Sequence, residues 1–159
     1  MKPWNRLLLP VVLAFALPGV LLGQPHSDPG VGTWVLNVAK SSFKPGPAPQ
    51  SETRTYEATP DGIRLTVQQV GGNGTAITET STYKLDGKPY ALTGNPNIDA
   101  LEITRVDARE TRSNEMRNGK VIGHLTRIVS KDGKSLTITV TIRTVSGQTE
   151  HAVRVYDRQ

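Results

Sequence analysis

Turn signals recur along this chain at nearly even intervals, and that spacing constrains the fold more than any other feature. They are Pro60-Asp61-Gly62, Gly71-Gly72-Asn73-Gly74, Asp86-Gly87, Gly94-Asn95-Pro96, Asp107-Ala108, Asn118-Gly119, Asp132-Gly133 and Ser146-Gly147. Asn-Gly and Asp-Gly supply the positive φ that tight hairpin turns require. The segments between them read as strands. Leu136, Ile138, Val140 and Ile142 alternate with Thr137, Thr139, Thr141 and Arg143, and Ile63, Leu65 and Val67 alternate with Arg64, Thr66 and Gln68, which is the period of two of a half-buried strand. After the N-terminal region no window carries a helical period.

The pattern predicts an all-β chain, an antiparallel up-and-down meander of about ten strands. The expected ranges are 32–38, 52–59, 63–70, 75–85, 88–93, 99–106, 109–117, 120–130, 134–145 and 149–158. Hairpin-short connections put strands beside their sequence neighbours. Such a meander has two exposed edges unless it closes, and closure removes that aggregation hazard, so a closed or nearly closed β-barrel is expected. Ala39 to Gln50 breaks the rhythm. Pro45, Pro47 and Pro49 bar a helix interior or a central strand there, so the segment should cross between the first two strands in extended or turn-like form. The strand 109–117 is polar on both faces. Either it is an edge strand or it lines a shallow, wet interior.

The first residues read as a targeting segment. Lys2 and Arg6 precede an apolar stretch from Leu7 to Leu22 that is interrupted by Pro10 and Pro18 and ends at Gly23. A positive start, a short apolar core and a polar exit match a secretory signal peptide over 1–23, too short and proline-broken for a stable membrane span. Residues 24–31 read as a flexible lead, and 32–159 as the barrel domain. The chain has no cysteine, which excludes a lipoprotein anchor and fits a bacterial periplasmic or secreted protein whose core does without disulfides. Removing Lys2 and Arg6 with the signal takes the formal net charge from +5 to +3. The basic residues are scattered without stacking aromatics, so no nucleic-acid partner is expected.

At its ends the chain carries recognisable motifs. Gly32-Thr33-Trp34 resembles the Gly-x-Trp opening of lipocalins and fatty-acid-binding proteins. Arg154-Val155-Tyr156 looks like the Arg-x-Tyr with which fatty-acid-binding proteins hold a ligand carboxylate, and Arg127 sits about where they keep a second inward arginine. Trp34-Val35-Leu36-Asn37, Lys40-Ser41 and Phe43-Lys44-Pro45-Gly46-Pro47 are similar to segments of small exported bacterial proteins described as lipocalin-like. So are Tyr90, Thr93-Gly94-Asn95-Pro96 and Ser130-Lys131-Asp132-Gly133-Lys134. The resemblance implies a lipocalin-like barrel binding a small anionic or lipophilic ligand, with Arg127, Arg154 and Tyr156 as contacts and no cofactor. One departure matters: the proline-rich 39–50 cannot form the helical lid of fatty-acid-binding proteins.

Arg154 and Tyr156 share a strand face, where a guanidinium and a phenol can bind a carboxylate. Alternatively Arg154 stacks on Trp34 and closes the barrel floor, or the pair faces water. Trp34 itself reads as core. An envelope interaction module with a filled barrel is the competing reading. Catalysis has little support. His26 lies in the lead, so only His124 and His151 fall in the fold. No zinc spacing or nucleophile elbow appears, and an enzyme would need a His124–carboxylate pair in a cleft.

Overall fold

The structure is a computed structural model and describes residues 28–159. The expected signal peptide, 1–23, and the first part of the lead lie outside the described residues. Eleven strands follow in chain order: β1 (Gly32–Leu36), β2 (Ser42–Lys44), β3 (Ser51–Thr59), β4 (Gly62–Val70), β5 (Ala76–Tyr83), β6 (Asp86–Ala91), β7 (Ala100–Arg105), β8 (Glu110–Arg117), β9 (Lys120–Val129), β10 (Ser135–Arg143) and β11 (Thr149–Arg158). Ten of them form one antiparallel meander in the order β5-β4-β3-β1-β11-β10-β9-β8-β7-β6. The first and last strands pair, with Trp34 opposite Arg158 and Leu36 opposite Tyr156.

The remaining seam lies between β5 and β6. A single bridge joins it: the backbone N–H groups of Thr80 and Thr93 each donate to the other's carbonyl, at 3.1 and 3.0 Å. The two threonine hydroxyls lie 2.8 Å apart, and Ser81 Oγ donates to Ala91 O at 2.8 Å. The barrel is therefore nearly closed, as the turn spacing predicts.

The crossing segment 39–50 differs in detail from an unbroken irregular connection. A short 3-10 turn at Val38–Lys40 is capped by the Asn37 side chain. The extra strand β2 then pairs with β11, Phe43 lying opposite Ala152. The prolines follow β2, where no ladder bond is lost. Gly94-Asn95-Pro96 is likewise no tight hairpin. It belongs to a loop that turns back over the barrel, with Leu92 and Ile98 buried at either side of it.

Buried residues alternate with more exposed ones along the longer strands, such as β4, β8 and β10, as on any pleated sheet. Trp34, Leu36, Tyr56, Leu65, Val67, Tyr83, Ile103, Val129, Leu136 and Ile138 form the apolar core. Strand β8 sits between β7 and β9 and turns Thr111, Ser113 and Glu115 inward, all buried. The edge alternative for this strand is thereby excluded, and its inner face is polar.

Part of the expected flexible lead is packed. Asp28 and Gly30 are buried, and the Gly30 carbonyl accepts the Trp34 indole N–H at 2.7 Å. The fold thus begins before Gly32. Hydrophobic patterning missed this because what holds the segment is charge, not apolar area. A Cβ at position 30 would press on the Arg127 guanidinium and the Asp28 carboxylate, so a larger residue there would have to displace their ion pair.

Candidate functional site

Three clusters of charged side chains occupy the interior. The first centres on Glu52 of β3, which is 1% exposed. Its Oε1 accepts from Arg54 Nε at 2.6 Å and from the Tyr156 hydroxyl at 2.7 Å, and its Oε2 accepts from Arg154 Nη1 at 2.8 Å. Burial alone would raise this carboxyl, but the Arg54 and Arg154 charges and the tyrosine hydroxyl hold it below the usual value. Burial raises the Tyr156 phenol, which therefore stays a hydrogen-bond donor. Phe43 of β2 lies under the Arg154 guanidinium, 5.7 Å from ring centre to Cζ.

The second cluster holds Arg127. Its Nη2 donates to Asp28 Oδ2 at 2.7 Å and its Nε to Thr111 Oγ1 at 3.2 Å. The guanidinium lies 5.0 Å from the Tyr56 ring centre, a cation–π distance. Arg105 approaches the same Asp28 oxygen at 3.5 Å.

Glu79 and Glu115 form the third group. Glu79 accepts from Asn95 Nδ2 at 2.8 Å. Glu115 is 6% exposed, and its Oε2 is buried without a hydrogen-bond partner. Burial pushes the Glu115 carboxyl up to about 7, against the opposing pull of Arg54 and Arg154.

A cavity of about 430 Å³ runs from these residues to the surface, where the segment Phe43–Pro49, the loop Asn95–Ile98 and the β10–β11 turn form its rim. Its walls are mixed. Ile77, Leu125, Ile138, Val140 and Ile142 give apolar surface; Arg54, Glu79, Glu115 and Arg154 give polar groups. A deeper recess of about 50 Å³ reaches Tyr56, Tyr83 and Arg127. Arg54, Glu79, Ile98, Glu115 and Leu125 line both spaces.

The three residues expected as ligand contacts thus occupy different settings. Arg154 lines the cavity, and its Nε is buried without a partner. Arg127 lines the recess; its Nη2 is paired with Asp28, while its Nη1 is buried without a partner. Tyr156 lines neither space and is fully buried behind Glu52. The structure joins Arg154 to Tyr156 through Glu52 and leaves Arg127 in a separate cluster. The cation that stacks on Trp34 is Arg158, at 4.2 Å, not Arg154. Arg158 sits opposite Trp34 in the β1–β11 register, whereas Arg154 lies further along the strand, opposite Ile138 of β10.

Sequence reasoning missed Glu52, Arg54, Glu115 and Asp28. The signal for the first two was present, since Glu52, Arg54 and Tyr56 fall on one strand face by period two. His124 is exposed, its Nδ1 3.0 Å from Asn114 Oδ1. The pairing that an enzyme would need is therefore not formed. Among the described residues no group of side chains is arranged to hold a metal ion, and no helix is long and apolar enough to cross a membrane.

No family model matches the sequence, and no curated protein proves similar to it. Among solved structures, zebrafish ileal bile acid-binding protein complexed with cholic acid aligns over 82% of this chain and 99% of its own, at 13% identity and a TM-score of 0.47. At that identity and TM-score the likeness carries no argument about what this barrel does.

Proposed function

We propose that this chain is an exported, non-catalytic carrier or sensor that encloses one small amphiphilic molecule. The observation that carries the reading is the cavity of about 430 Å³ with Glu115 Oε2 and Arg154 Nε unpartnered beside it. Cavities of ~300–1,000 Å³ suit single small ligands. An unpaired buried polar group costs about 1–3 kcal/mol, so an occupant that supplies the missing partners is favoured. Its head must accept from Arg154 and engage Glu115, while its body lies on Leu125, Ile138 and Val140. Arg154 is the contact retained from the sequence pattern. Arg127 serves as a wall of the recess, and Tyr156 orients Glu52. A filled barrel working through its surface is less well supported, because the space is there.

Native mass spectrometry of protein secreted by an exporting host tests this. The expected spectrum carries a small added mass that is lost on unfolding, on a chain that starts near residue 24. Arg154→Met combined with Glu115→Gln should reduce the occupied fraction at least about tenfold. An apo mass throughout, together with no uptake of a neutral apolar dye, would remove the reading.

A further inference from the structure

The cluster that most resembles an anion site already contains an anion. Glu52 engages Arg54, Arg154 and Tyr156 with both oxygens at 2.6 to 2.8 Å. It lies behind the wall rather than in the cavity, so the two arginines present themselves to the cavity with their charge already matched. We infer that Glu52 makes this cavity reject carboxylates and other anions, and that the ligand is uncharged at its buried end. The inference rests on the proposed carrier function and sharpens it.

Charge balance supports it. Arg54 and Arg154 both pair with Glu52, and Glu79 acts on Arg54, two cations against two carboxylates before Glu115 is counted. An incoming carboxylate would be an uncompensated charge taken out of water, which is costly unless a counter-ion awaits it. The rim residues include one lysine, Lys44, and one glutamate, Glu150, so by count these two add no positive surplus. Glu115 adds a third carboxyl beside these arginines, held up at about 7 by its burial against the pull of Arg54 and Arg154. The unpartnered Arg154 Nε remains able to donate one hydrogen bond. A neutral acceptor, such as an amide or ketone oxygen, satisfies it without adding charge.

A matched pair of probes separates the possibilities. N-phenyl-1-naphthylamine is neutral, and 8-anilino-1-naphthalenesulfonate has the same aromatic body with one negative charge. The wild-type protein should bind the neutral probe at least about tenfold more tightly than the sulfonate. Glu52→Gln frees one unit of positive charge and should move that ratio at least about tenfold toward the sulfonate, as should Glu52→Ala where it folds. Equal binding of both probes by the wild type, or an unchanged ratio in Glu52→Gln, overturns the role of Glu52 while leaving a carrier in place. Failure of both probes to bind the wild type removes the carrier reading and this inference together. If neither variant folds, the wild-type ratio still decides whether the cavity rejects the anionic probe.

Discussion

Asp28 and Arg127 meet at 2.7 Å inside the barrel although 99 residues separate them in sequence. Both side chains are 4% exposed. The pair ties the segment before β1 to the C-terminal part of β9, and Asp28 also accepts from the Gly30 N–H at 2.7 Å. Removing one member of such a pair strands the other charge away from water. Asp28→Ala should therefore cost about 3–5 kcal/mol in global stability. Asp28→Asn, which keeps an acceptor, should cost less. Urea unfolding of the three proteins measures this, and a loss below about 1 kcal/mol for Asp28→Ala would show that the pair does not hold the barrel.

Glu115 should make the protein less stable as pH rises. Its carboxyl sits at about 7 in the fold, above the ordinary glutamate value of 4.5. Between these values the folded state binds more protons than the unfolded state, so stability falls with pH through that window and the loss is complete above about 7. A shift of this size corresponds to roughly 3 kcal/mol. Glu52 acts in the opposite sense. Its lowered carboxyl contributes stability above the unfolded value that is lost as pH falls through the folded one. Glu115→Gln should flatten the change between pH 5 and 8 and raise stability at pH 8. Unfolding midpoints at these two pH values check the sign, and an unaltered slope in the variant would contradict it.

The strands were legible because their signals are local. Period two in Leu136 to Ile142 and glycines at turn positions act within a few residues, and the observed ends fall within about two residues of those expected for most strands. The charged interior was less legible, because it is assembled from partners far apart in sequence. Arg154 and Tyr156 were visible as a pair on one face, but nothing near them announces Glu52, which arrives from β3 across β1. Asp28 reads as part of a flexible lead because it stands in a short, polar, proline-bearing stretch. Its burial depends on Arg127, a long-range partner that hydrophobic patterning does not encode. The both-faces-polar character of β8 did carry information. It separated into an inward polar face once its neighbours β7 and β9 were in place.

Gly94 tests what closes the barrel. It has φ +84°, and a Cβ there would run into the Thr78 carbonyl and crowd Glu79 Cα on β5. The residue before it, Thr93, forms the bridge to Thr80, and the residue after it, Asn95, donates to Glu79. Gly94→Ala should therefore press the two edges of the seam apart at the point where they are joined. Gly119 is the control: its φ is +71°, and a Cβ there meets nothing within 4 Å. Gly119→Ala should lose about 1–2 kcal/mol from backbone conformation alone. Gly94→Ala should lose at least about 2 kcal/mol more than that, because the carbonyl must also move. Amide hydrogen exchange locates the effect. Thr80 and Thr93 should lose protection in Gly94→Ala while the β9–β10 ladder keeps it. Equal losses for the two variants, with Thr80 still protected, would place the closure of the barrel elsewhere than at this bridge.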